Sequence, residues 1–171
     1  MDAEYADILS YTILPLDQSS SSERLLAVRS AFEKHDPLFP ENRCILASFV
    51  AARLIPEIVA VHGDYRPPHR RNQSPLLLNG EYFGFSRKHA LLYNPVSSQY
   101  YDLTQDQFVK TLPPVVILPE NTPVFERENV FPRFRFSDNE RLVANTVTQT
   151  LLSSSLFHHH WSRREKLFIP E

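Results

Sequence analysis

Apolar and polar positions alternate along the chain with two periods, and these divide it into helices and strands. The segment from Cys44 to Ile55 is apolar almost all round, as expected of a helix buried in a core. Asn42 suits the cap of that helix, which would put Cys44 in its first turn, and Pro56 ends it. Upstream, Ser20 with Glu23 fits a capping box. Leu25, Val28 and Phe32 then mark one face of a helix ending near His35. Asp36-Pro37 and Pro40 make a stiff turn between the two helices. A second capping box, Ser137 with Glu140, opens a helix whose apolar face is Leu142, Val143, Val147, Thr150 and Leu151. Between these lie period-two and continuous apolar runs. Ile58 to Val61 reads as a buried strand, and Phe83 to Phe85 starts another extended stretch. Lys88 to Tyr93, the turn Asn94-Pro95-Val96-Ser97, and Ser98 to Leu103 read as a hairpin. Thr104 is placed to cap a short helical turn through Phe108. Val115 to Leu118 follows Pro113-Pro114, which puts it at a strand start or a sheet edge. Residues 64 to 79, with three prolines and three arginines, read as a long polar surface loop.

Helices and antiparallel strands in this order give an α+β fold. At 171 residues one domain is expected: a core over about 21–152, a leader over 1–18 and a weakly patterned tail over 153–171. A net charge of −2 gives no general reason to expect nucleic acid or a membrane surface. A single cysteine excludes an internal disulfide and makes the cytosol the default compartment. No apolar run approaches the ~20 residues that span a bilayer. The acidic start, Met1 to Asp7, lacks the basic and apolar blocks of a signal peptide. Scarce glycine and abundant proline favour stiff, extended connections.

The chemistry sits on three residues. A helix N-terminus carries about half a positive charge, which favours thiolate at Cys44. With the turn at 94–97, Tyr93 faces Ser98, Leu91 faces Tyr100 and His89 faces Asp102. Opposed residues share a sheet face, so the imidazole can bond the carboxylate and keep its other nitrogen for a thiol. A one-residue slip would send the two side chains to opposite faces. The bland alternatives are a core cysteine and a structural His–Asp pair.

Several segments also resemble the YunG-like family. Cys44-Ile45-Leu46-Ala47-Ser48-Phe49-Val50 is similar to the family's Cys-x-x-x-Ser/Ala-x-Val helix start, and Ile58 to Gly63 to the strand that follows it. His89 to Asn94 resembles its His-Tyr-Trp-Asn segment. The most specific match is Tyr101 to Phe108, against its Asp-Leu-Thr-x-Asp/Glu-Gln-Phe block. Phe125 to Glu128 and the helix capped by Ser137 fit as well. The resemblance spans about residues 36–152. It implies a papain-like or NlpC/P60-like core, with a transglutaminase-like order of Cys44, His89 and Asp102. Arg43 and the polar segment 64–79 depart from the family's pattern.

The expectation is therefore a cysteine hydrolase or acyl transferase acting on an amide or peptide-like bond. Cys44 would be the nucleophile, His89 the general base and acid, and Asp102 the orienting carboxylate, with no cofactor and no metal. The partner would be a protein, a peptide or a small amide substrate, with neither nucleic acid nor a membrane. The rival is a binding or interaction module that keeps the fold without the activity. Arg66, Arg70 and Arg71 on the segment 64–79 would flank the site and favour an acidic partner. Other signals weigh less. His158-His159-His160 and a Cys44/His89/His62 set are candidate metal ligands without a supporting spacing. Phe131 to Phe136 alternates aromatic and basic residues, as an amphipathic edge strand or a single-strand nucleic-acid binder does.

Overall fold

The computed structural model describes residues 20–65, 77–78, 81–82, 87–105, 113–122, 125–129, 131 and 133–157. Three helices are described, α1 (Ser20–His35), α2 (Cys44–Leu54) and α3 (Asp138–Leu152). The strands are β1 (Val59–Tyr65), β2 (Leu77–Leu78), β3 (Glu81–Tyr82), β4 (Arg87–Asn94), β5 (Gln99–Asp102), β6 (Val116–Pro119) and β7 (Phe125–Arg127). Five of them form one antiparallel sheet in the order β6-β5-β4-β1-β7, and β2 pairs with β3 alone. The α+β class therefore holds.

The sheet curls, and each face buries its own core. On one side Leu92, Tyr101 and Ile117 meet the helices through Leu25, Val28 and Phe32 of α1, Leu46, Val50 and Leu54 of α2, and Val147 and Leu151 of α3. Each such side chain contributes about 1.5–3 kcal/mol when fully buried. Inside the curl lies a second cluster of Val61, Tyr65, Leu91, Tyr93, Tyr100, Val116, Leu118 and Phe125. Alternation along β4 explains the division, because residues 89, 91 and 93 face one way and 88, 90, 92 and 94 the other.

Gly63 sets the tightness of the curl. A Cβ there would sit 2.1 Å from the Glu126 carbonyl oxygen and 2.9 Å from the Phe125 ring, so only glycine lets β7 close onto β1.

The local readings hold at α3 and fail at α2. Ser137 caps α3 in a full capping box: its hydroxyl accepts from the Glu140 amide at 3.3 Å, and the Glu140 carboxylate accepts from the Ser137 amide at 2.8 Å. Two residues assigned to its apolar face are corrected. Leu142 is 65 % exposed and Thr150 is exposed, and the buried stripe is Val143, Ala144, Val147, Thr148 and Leu151. Ser20 is the first described residue of α1 and lies inside the helix, not at its cap. Asn42 is not the cap of α2. It adopts a left-handed φ of 55°, and Arg43 takes the cap position without a side-chain cap bond.

The reading of β1 is also corrected. The strand begins at Val59, which is 45 % exposed, and runs on through Asp64 and Tyr65, both assigned to the loop in sequence. Residues 133–136 form no strand; the edges of the five-stranded sheet are β6, which carries Val116 to Leu118 of the expected run, and β7. The leader 1–18, the loop arginines at 66, 70 and 71, residues 83–85, residues 106–108 of the expected turn and the histidines 158–160 lie outside the described residues. Among the described residues no helix is long and apolar enough to cross a membrane.

Candidate active site

The sheet register differs from the expected one by two residues. Asn94 pairs with Gln99, Tyr93 with Tyr100 and Leu92 with Tyr101, which sets Asp102 opposite Leu91 instead of His89. The cause is the turn. The Asn94 side-chain oxygen accepts from the amides of Val96 (2.9 Å) and Ser97 (3.3 Å), and Ser98 takes a φ of 52°, so residues 95–98 make the loop. A shift of two preserves the face. His89 and Asp102 become diagonal neighbours, and their side chains still meet, with His89 Nε2 2.7 Å from Asp102 Oδ2. Both residues are buried, at 1 % exposure each.

Asp102 is itself held. Its other oxygen accepts from the Thr104 amide at 2.8 Å and from the Thr104 hydroxyl at 3.2 Å. Arg29 of α1 fixes the chain just beyond, donating to the carbonyls of Leu103 (2.6 Å) and Pro114 (3.1 Å). These bonds leave Oδ2 to face the imidazole in one orientation.

Cys44 completes the group from the other side. β5 stops opposite Leu91, and the first turns of α2 take over the β4 backbone there. The Ala90 amide donates to the Cys44 sulfur, and Ser48, one turn on, donates its hydroxyl to the Ala90 carbonyl at 3.3 Å. Cys44 is half-buried and in hydrogen-bonding contact with His89. Since Nε2 is taken by Asp102, the nitrogen turned to sulfur is Nδ1. The three residues named from the sequence therefore meet in the order thiol, imidazole, carboxylate.

Electrostatics favour an ion pair. Burial pushes the Cys44 thiol up from its ordinary 9.0. The His89 charge, the His89 hydrogen bond and the Ala90 amide outweigh it, and the net shift is downward. Burial likewise pushes His89 down from 6.5, but the charge of Asp102, then that of Cys44, and hydrogen bonds to both carry it up to about 10. Both shifts run toward thiolate on Cys44 and imidazolium on His89.

Arg43 explains how α2 starts without a side-chain cap. Its Nε donates to Asp36 Oδ2 at 2.6 Å, its Nη1 lies 3.5 Å from Glu140, and it is 8 % exposed. A residue that looked out of place beside the thiol is an anchor tying the helix start to the α1–α2 turn and to the cap of α3.

Reading the sequence missed several neighbours. The Tyr65 ring lies against the His89 imidazole, with centroids 5.5 Å apart. Gln105 donates its Nε2 to the Tyr65 hydroxyl at 2.5 Å. Thr104, two residues after Asp102, was recognisable as an Asx-turn partner. Tyr65 and Gln105 carried no local signal: pairing of β1 with β4 sets Gly63 opposite His89 and makes Tyr65 its diagonal neighbour, and Gln105 joins through the Tyr65 hydroxyl.

His62 belongs elsewhere. It aligns with Ala90 and so faces the opposite side of the sheet from His89. There its Nδ1 lies 2.9 Å from Glu128, and Phe131 and Phe134 contact its ring, while Lys88 joins Glu128 and Asp64. That parity rules out the Cys44/His89/His62 set as one metal site. Among the described residues no three of His, Cys, Asp and Glu converge on a point fit for a metal ion. No protein-family model, no curated protein and no solved structure matches this chain.

Proposed function

We propose that this chain is a cysteine-dependent hydrolase or acyl transferase acting on an amide or peptide-like bond, built on a papain-like core of the kind that the YunG-like resemblance implies. The observation that carries the reading is the relay from the Cys44 sulfur through His89 to Asp102, with the inner bond at 2.7 Å and both inner residues buried. A structural cysteine needs neither a lowered thiol nor an imidazolium beside it.

The chemistry follows from the geometry. The Cys44 thiolate attacks the carbonyl carbon, and the C=O electron pair moves to oxygen. The first-turn amides of α2 are the natural donors to that oxyanion, since they have no intrahelical acceptor and the helix has no side-chain cap bond. As the carbon–nitrogen bond breaks, His89 gives its Nδ1 proton to the leaving amine. The thioester is then attacked by water or a second amine, which passes its proton back to His89, and acid or new amide leaves with the thiolate regenerated. Asp102 holds the ring in place throughout. No step uses a cofactor. The partner is a protein, a peptide or a small amide, and the cytosol is the compartment that suits a lone thiol.

The test is capture of the acyl-enzyme. The protein is incubated with a panel of peptide amides and activated acyl esters, and intact mass is followed with and without hydroxylamine. A hydroxylamine-labile adduct on Cys44, absent in Cys44→Ser and slow in His89→Ala, is expected. If no acyl donor modifies the folded protein, the chain is a binding module and the enzymatic reading fails.

A further inference from the structure

Beneath the relay lies a buried polar contact that the reaction does not use. Tyr65 is 0 % exposed and Gln105 is 1 % exposed. Gln105 Nε2 donates to the Tyr65 hydroxyl, yet Gln105 Oε1 is buried without a hydrogen-bond partner. An unmade bond at a buried acceptor is destabilising, and natural folds hold only a few such atoms, each of which calls for an explanation. Methionine or leucine would fill this place without the penalty. The Tyr65 ring, on its other side, rests 5.5 Å from the imidazole at an interplanar angle of 52°. That lies within the ~6 Å over which an aromatic face attracts a cation.

We propose, on the footing of the thiol chemistry above, that Tyr65 and Gln105 are a positioning pair for His89. The ring of Tyr65 supports the imidazolium from the side away from solvent and favours its charged form. Gln105 fixes the tilt of that ring by holding the hydroxyl. The Tyr65 ring adds a contact across the imidazole plane to the bonds that Asp102 and Cys44 make in it. Neither residue touches the reacting atoms. Their effect reaches Cys44 only through His89, so it belongs in the pH dependence of thiol reactivity.

The experiment is the rate of Cys44 alkylation by iodoacetamide between pH 5 and 10. It is run on wild type, Tyr65→Phe, Tyr65→Leu, Gln105→Met and His89→Ala, each checked by thermal melting. Wild type is expected to keep a reactive thiolate at pH 6, and His89→Ala to lose it. Tyr65→Leu, which removes the π face, should react about tenfold more slowly than wild type at pH 6 and converge with it above pH 9. Tyr65→Phe keeps the ring and should lose only about twofold to threefold, and Gln105→Met should match it. Gln105→Met should also melt no lower than wild type, because it deletes the unpaired oxygen. A merely structural role would lower melting temperatures and leave the pH profile of the surviving fold unchanged. If Tyr65→Leu fails to fold, Tyr65→Phe and Gln105→Met decide. Profiles of the folded variants that superimpose on wild type overturn the positioning role, even where His89→Ala is silent. A wild type with no low-pH reactivity, matched by His89→Ala, instead overturns the thiol chemistry itself.

Discussion

Replacing Asp102 with asparagine removes one charge from a fully buried position while keeping the shape. The introduced amide can keep the two bonds from Thr104, now 2.8 and 3.2 Å long, through its side-chain oxygen. At the other end an NH2 group replaces the oxygen 2.7 Å from His89 Nε2. That group donates, so it pairs only with an unprotonated Nε2 and fixes the ring as the neutral Nδ1–H tautomer. Asp102 is the largest cause raising His89 toward about 10, and without it burial pulls the ring toward its neutral form. The thiol then has no imidazolium charge beside it, and burial pushes it up toward the ordinary 9.0. A thiol at that ordinary value is about one part in a thousand ionised at pH 6, three units lower, at tenfold per unit. Alkylation of Cys44 at pH 6 is expected to fall by about a hundredfold or more, and to recover to within a few-fold at pH 10. Breaking one side of a buried pair costs about 3–5 kcal/mol. For a chain of this size that lowers the melting temperature by roughly 6–20 °C. The assay is mass-spectrometric labelling across pH with melting curves on the same samples. A folded Asp102→Asn protein that labels at pH 6 as fast as wild type would refute the relay.

Other outcomes follow from the same geometry. Cys44→Ser is expected to fold and lose labelling, and to change how stability depends on pH. A raised His89 contributes fully below 6.5 and loses its contribution as pH rises through its folded value, while a lowered thiol contributes above 9.0 and loses it as pH falls. In wild type the lowered thiol gains stability as pH rises toward 9.0 and so offsets part of what His89 loses above 6.5. In Cys44→Ser the folded state alone holds a proton there, so melting temperature should fall with rising pH, and a flat profile would count against the ion pair. Arg43→Ala leaves the buried Asp36 unpaired and should cost about 3–5 kcal/mol in denaturant unfolding. Gly63→Ala drives a methyl to 2.1 Å from the Glu126 carbonyl, and loss of β7 protection in hydrogen exchange is the expected readout.

Where the sequence proved legible, the signal was local. The capping box at Ser137 with Glu140, the apolar run after Cys44 and the spacing of Leu25, Val28 and Phe32 each determine their element within a turn or two. The hairpin was legible in kind but displaced in register, because the Asn94 side chain and the left-handed Ser98 shift the turn by one residue on each strand. His89 and Asp102 survived that shift because sheet faces repeat every two residues. Other features depended on distant partners. Gly63 and Asp64 are poor strand formers, and they continue β1 because β4 pairs with them on one side and β7 on the other. Arg43 caps nothing with its side chain, and its anchor at Glu140 lies almost a hundred residues away. Phe131, Phe134 and Phe136 alternate like a strand, yet they are used to cover His62 and Phe49. Tyr65 meets His89 through the β1–β4 register, and Gln105 joins it through the Tyr65 hydroxyl.

The central claim is that Cys44 and His89 share charge in the resting protein. Titrating the thiolate by its ultraviolet absorbance, in wild type and in His89→Ala, tests it most directly, because Cys44 is the only cysteine and no other thiol contributes. The account predicts ionisation well below 9.0 in wild type and above 9.0 once His89 is gone. Coincident titrations in the two proteins would contradict it.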